Sequence, residues 1–138
     1  MEQEKIISNF KDSIYATGRR KTSIAKVWLK KGSGKISVNG KDYVQYFKRA
    51  NHQMKLLRPL EIIEQSTNYD VKCNVKGGGL TGQVGAMVHG ISKALILFDS
   101  GFKSTLKKEK LNTRDSRAVE RKKYGRRKAR RSFQFSKR

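Results

Sequence analysis

Arg19-Arg20-Lys21 sets three cations side by side, and Arg121 to Arg131 interleaves eight more with Tyr124, Gly125 and Ala129. A guanidinium can fork onto a phosphate and stack on a base, and Tyr124, Phe133 and Phe135 can stack on bases or wedge between them. The chemistry these residue types suit is recognition of a polyanion. A plainer reading of such a run is a solvated or targeting segment, but its length, its aromatics and its position at the C-terminus favour RNA.

Other chemistry finds little footing. There are two histidines, His52 and His89, and neither stands in a spacing that would activate a serine or cysteine nucleophile. The eleven acids are scattered and mostly sit beside bases, which argues against a paired-carboxylate site. A single cysteine, Cys73, rules out an internal disulfide and a C-x-x-C metal set, and it suits a reducing compartment. The run Gly77-x-Gly79-x-x-Gly82, with Asp99 22 positions after Gly77, satisfies the letter of a dinucleotide fingerprint. A working fingerprint needs a parallel strand after its helix to present the acid, whereas a lysine-rich stretch follows Asp99. No cofactor, metal, enzymatic activity or small-molecule substrate is therefore expected. Glycine amides at a helix start remain suited to an RNA phosphate.

The elements that position these groups can be read from periodicity. Ser13 to Ala16 and Ser23 to Leu29 read as strands, with Gly18 to Lys21 as a basic turn or irregular strand between them. Lys31-Gly32-Ser33-Gly34 then turns into Lys35 to Val38, closed by Asn39-Gly40, and the three segments are expected to form an antiparallel meander. Two short helices are expected at Tyr43 to Phe47 and Met54 to Glu64, the second interrupted near Pro59. Tyr69 to Lys76 alternates strictly, so Tyr69, Val71, Cys73 and Val75 share one face of a strand. From Leu80 to Phe98, Leu80, Val84, Met87, Ile91, Leu95 and Phe98 recur every three or four residues, the mark of a long amphipathic helix. Gly82, Gly85 and Gly90 lie inside that helix at roughly 1 kcal/mol each relative to alanine. Close packing on the sheet explains them better than a ligand. A short helix is expected from Lys103 to Lys110.

Charge divides the chain. Residues 103–138 hold 16 of the 33 lysines and arginines and three of the eleven acids, so they carry +13 of the net +22. By itself so charged and apolar-poor a segment cannot offset its ordering entropy, and it needs a polyanion to take shape. The division expected is an N-terminal extension over 1–12, a globular α+β domain over 13–102 and a basic tail over 103–138. No apolar run approaches the roughly 20 residues that span a bilayer, and the N-terminal residues have the character of neither a secretory signal nor a transit peptide. These observations describe an RNA- or DNA-binding α+β domain with a basic tail.

Three stretches carry a resemblance: Tyr15-Ala16-Thr17-Gly18-Arg19-Arg20-Lys21-Thr22-Ser23 and its continuation to Val27; Val75-Lys76-Gly77-Gly78-Gly79-Leu80-Thr81-Gly82-Gln83 through Ala86, with His89-Gly90-Ile91; and Thr113 to Arg117, then Glu120 to Gly125, ending on Gln134-Phe135-Ser136-Lys137-Arg138. Together they resemble the ribosomal protein S nine family in its bacterial and organellar form, over nearly the whole chain. The resemblance implies a ribosomal-protein-S-five domain-two-like fold, a four-stranded sheet covered by helices with a long extended basic C-terminal tail. It implies a structural place in the head of the small ribosomal subunit, beside neighbouring head proteins, in a bacterial cytoplasm, mitochondrial matrix or plastid stroma.

Carried over residue by residue, Ser136, Lys137 and Arg138 would contact the anticodon stem-loop of peptidyl-site tRNA. Small-subunit rRNA would be held by Arg19, Arg20, Lys21, Gly77, Gly78, Gly79, Arg114, Arg117, Arg121, Lys122, Lys123, Tyr124, Arg126, Arg127, Lys128, Arg130, Arg131, Gln134 and Phe135. The sequence departs from the family pattern at Val88, where a basic residue is common, and at Ser132-Phe133, where proline is frequent.

Overall fold

The computed structural model describes residues 12–136. In chain order it contains β1 (Ile14–Arg20), β2 (Ser23–Lys31), β3 (Ile36–Val38), β4 (Lys41–Asp42), α1 (Tyr43–Tyr46), α2 (Ala50–Ile62), β5 (Tyr69–Lys76), α3 (Leu80–Phe98), a 3-10 turn (Ser100–Phe102) and α4 (Lys103–Lys108). From Leu111 to Ser136 the described chain forms neither helix nor strand.

The strongest periodicities hold. β5 and α3 have the limits that their apolar spacing predicts, and Val84, Met87, Ile91 and Leu95 form the buried stripe of α3. That stripe meets Ala25, Val27 and Leu29 of β2 and Val71, Cys73 and Val75 of β5, while Leu56 and Leu60 of α2 and Leu106 of α4 complete the core. Because Leu106 is fully buried, the short helix beyond Phe102 takes part in the packing of the body. Cys73 is buried in this core, and burial pushes its thiol pKa up, out of reach of thiolate chemistry.

Pairing corrects the expected meander and the expected strand count. The sheet has five strands in the order β1-β2-β5-β3-β4. β2 pairs antiparallel with β1 and with β5, whereas β3 lies parallel to β5 through Ile36↔Val71 and Val38↔Cys73. Asp70 fixes this arrangement, because one carboxylate oxygen, Oδ1, accepts the backbone N–H groups of Ser33, Gly34 and Lys35 at 2.9–3.0 Å. The loop after β2 is thereby tied to β5, and β3 starts beside it with the Val71 N–H donating to the Lys35 carbonyl. Asn39 and Gly40, both at positive φ, make the tight turn that brings the two-residue β4 back onto β3. The Asn39 side chain also exchanges hydrogen bonds with the backbone of Val75.

Two local readings also change. Gly18 to Arg20 are regular strand, paired with Ser23 to Ala25, so the turn shrinks to Lys21-Thr22. α2 begins at Ala50 and runs unbroken through Pro59. The proline lacks the N–H that would bond one turn back, to the carbonyl of Lys55. Lys55 is exposed, while Pro59 and Leu60 bury against the core, so packing outweighs the lost bond.

Candidate nucleic-acid interface

At one end of the sheet, three stretches far apart in sequence converge. Arg19 and Arg20 are the last two residues of β1, and Lys21 occupies the hairpin turn with φ of 53°. The glycine turn between β5 and α3 lies directly against that hairpin: a Cβ at Gly77 would stand 2.6 Å from the Thr22 carbonyl oxygen, and one at Gly78 would strike the Ser23 hydroxyl. Gly77 and Gly78 take positive φ, and the Gly77 carbonyl accepts from Ser23 Oγ and Gln83 Nε2. Gly77, Gly78 and Gly79 are all exposed, and Gly79 opens α3 with free space where a side chain would be.

The glycines within α3 answer to packing. At Gly82 a Cβ would lie 2.8 Å from Ser23 Oγ, and at Gly90 2.6 Å from a methyl of Val27. Gly85 makes room for the Arg20 side chain, whose Cδ occupies the place a Cβ would take. Asp99, the acid of the apparent dinucleotide fingerprint, lies at the opposite end of α3 and accepts the N–H of Gly101 at 2.9 Å. A 3-10 turn and α4 follow it where a nucleotide-binding fold would continue into a parallel strand.

The third stretch is the root of the basic arm. Asp115 approaches Arg20 to 3.8 Å and is grasped by Arg117, which donates from Nε, from Nη2 (2.7 Å) and from its backbone N–H. These hydrogen bonds hold the Asp115 carboxyl well below the usual carboxylate range. His89 links the same parts: its Nδ1 accepts the Arg19 N–H at 3.4 Å, and it shares a hydrogen bond with the backbone of Asn112. Burial, then the cations Lys93 and Arg114, lower the His89 pKa, so the imidazole is neutral at pH 7. Its role is structural, as its place in a packed helix suggests.

Between these parts and α2 lies a cleft of about 330 Å³, bordered by Arg19, Arg20, His52, Lys55, Arg58, His89 and the arm root. Arg58 is paired with Glu109 at 2.9 Å and Arg20 faces Asp115, but Arg19, Lys55 and Lys110 add cations beyond the two acids of the lining. Among the described residues, Arg20 Nε and His52 Nδ1 are buried with no hydrogen-bond partner. His52 Nε2 lies 3.2 Å from Thr81 Oγ1, which ties α2 to the first turn of α3. His52, Lys55 and Arg58 were not picked out from the sequence. Their spacing of three residues, which sets them on one helix face, was the available signal. Val88 is half-buried against the core and borders the same cleft.

Arg19, Arg20, Lys21, Gly77, Gly78, Gly79 and Arg114 are thus brought together. The remaining candidates are not gathered onto the body. Arg117, Arg121, Lys122, Lys123, Tyr124, Arg126, Arg127, Lys128, Arg130, Arg131, Gln134 and Phe135 lie along the arm, nearly all exposed. Their bonds are local: Glu120 pairs with Lys123 and Arg130, and Arg126 donates to Ser132. Val119, Tyr124, Phe133 and Phe135 stand in the open. Ser136 is the last described residue, and Lys137 and Arg138 lie outside the described residues.

Comparison with protein-family models matches residues 18–138 to the family described as ribosomal protein S9/S16.

Proposed function

The chain belongs to the ribosomal protein S9/S16 family, and from that premise we propose that it anchors in the head of the small subunit and extends its arm through rRNA to peptidyl-site tRNA. As a member of the family it is a structural ribosomal protein of the small subunit, part of the ribonucleoprotein that carries out translation, and it partners rRNA and other ribosomal proteins. The finer assignments are our reading. The observation that carries them is the convergence of Arg19 to Lys21, the glycine turn and the arm root on one end of the sheet. A duplex or junction seated there would meet fixed cations and glycine amides, and the arm would leave from the point of contact.

Phosphate contacts orient without reading sequence. Ser136, Lys137 and Arg138 would therefore steady the anticodon stem-loop of any tRNA, with Gln134 and Phe135 as neighbours, and Arg114 to Arg131 would hold rRNA. The ribosome would be bacterial, mitochondrial or plastid. The reading is tested with ribosomes whose copy lacks Ser136 to Arg138. Small subunits should assemble and sediment normally, while peptidyl-site tRNA dissociates faster and frameshifting rises. Unchanged tRNA retention and frame maintenance would remove the tRNA contact from the account.

A further inference from the structure

Among the described residues, the helices of the body pack on one face of the sheet, and alternate residues of β1, β2 and β5 turn to the opposite, more exposed face. Strand alternation places Tyr15 and Thr17 of β1, Ile24, Lys26, Trp28 and Lys30 of β2, and Asp70, Lys72, Asn74 and Lys76 of β5 on that open face. We propose that this face is a second RNA-binding surface, one that stacks unpaired bases of rRNA on Tyr15 and Trp28 and neutralises their phosphates with lysines. The inference rests on the reading of the chain as an rRNA-binding protein, and it assigns to RNA a surface distinct from the cleft and the arm.

The centre of the face is aromatic. Tyr15 and Trp28 are direct partners in the β1–β2 register, with ring centroids 5.3 Å apart and planes inclined at 47°. Tyr15, the second residue of β1, is 47% exposed. Lys72 is the partner of Trp28 across β2–β5, and its ammonium lies 5.6 Å from the centre of the indole ring. Trp28 is half-buried with Lys72 over its ring, so the exposed Tyr15 presents the stacking surface of the pair, and the phosphate of a stacked nucleotide meets the lysine.

The surrounding charge points the same way. Lys26, Lys30, Lys72 and Lys76 share this surface of the three strands with a single acid, Asp70. One oxygen of that acid is committed to three backbone N–H groups of the loop before β3. Lys26, Lys72 and Lys76 alone outnumber that acid on these strands, which fits a polyanion and opposes a basic protein neighbour. Between β2 and β5 the surface dips into a depression of about 110 Å³, lined by Ile24, Lys26, Asn74, Val75 and Lys76. Asn74 is exposed there, and its amide can donate to and accept from a base edge. Residues alternating along a strand recur about every 6.8 Å, so the path from Lys26 to Trp28 offers charge and then a stacking platform.

Trp28 is the only tryptophan of the chain, so its emission reports on this face and not on the arm. The full-length protein is titrated with a twelve-nucleotide oligouridylate, following Trp28 fluorescence and, in parallel, the anisotropy of the same RNA carrying an end label. The expected result is saturable quenching whose midpoint moves about fivefold or more to higher RNA concentration in Tyr15→Ala and Lys72→Ala, while Tyr15→Phe, which keeps the ring, stays near wild type. Circular dichroism of each variant checks that the fold is retained. Rising anisotropy with unchanged Trp28 emission, or quenching that ignores Tyr15→Ala, would overturn the inference and leave the ribosomal reading standing. No change in either signal would count against both.

Discussion

Asp115 stands 3.8 Å from Arg20 while its carboxylate is held by Arg117, so one acid ties the root of the basic arm to the end of β1. Exposed ion pairs contribute little to stability, and the tie matters for direction. In Asp115→Asn the melting temperature of the body should hardly move, whereas trypsin should cut after Arg114 and Arg117 several times faster. Unchanged cleavage there would show that Asp115 does not restrain the arm.

Gly18 and Gly90 mark where α3 presses on β1. A Cβ at Gly18 would overlap the Ala86 carbonyl oxygen and the Gly90 amide, backbone atoms that cannot step aside. Gly18→Ala should destabilise the fold by about 3 kcal/mol, toward the upper end of overpacking penalties. Gly79→Ala, which points into open space, should cost about 1 kcal/mol or less. Urea denaturation of the two variants checks the contrast.

Lys21 holds a left-handed turn at φ of 53°, where glycine would sit without strain. Lys21→Gly is expected to raise stability by about 0.5–1 kcal/mol and to weaken binding to a small-subunit rRNA fragment severalfold. A variant that is more stable and equally tight would show that this lysine does not touch RNA.

His89 gives the body a pH dependence of predictable sign. Its pKa is lowered in the folded protein, so below its ordinary value of 6.5 the unfolded chain binds more protons than the folded one. The stability it contributes is present above pH 6.5, declines as pH falls below it, and is lost once pH passes below the lowered folded pKa. His89→Gln should flatten the denaturation midpoint against pH from 7 to 5. An unchanged profile would place the dependence elsewhere.

The parts of this molecule that were legible in its sequence are those whose information is local. Alternation over Tyr69 to Lys76 and the three-to-four spacing from Leu80 to Phe98 each lie within one element, and both fix its limits. The partner of β3 does not lie within one element. Nothing near Ile36 to Val38 announces a parallel strand 35 residues away, and the Asp70 clamp that enforces the pairing joins residues more than 30 apart. β4 is too short to show a pattern. The cations of Arg19 to Lys21 and the arm were conspicuous because they are contiguous. His52, Lys55 and Arg58 reach the cleft only through the packing of α2, and the open-face lysines become a group only when β2 and β5 are laid side by side.

The central claim, that the arm binds RNA chiefly through its charges, is met most directly by the salt dependence of affinity. Ten cations lie from Arg121 onward, and Glu120 pairs with two of them, Lys123 and Arg130. Engagement of about eight phosphates predicts that log K for a small-subunit rRNA fragment falls against log salt with a slope of roughly −6 to −7. The same chain ending at Ser116 should lose most of that slope. A slope near zero for the full chain, or one that survives removal of the arm, would contradict the account.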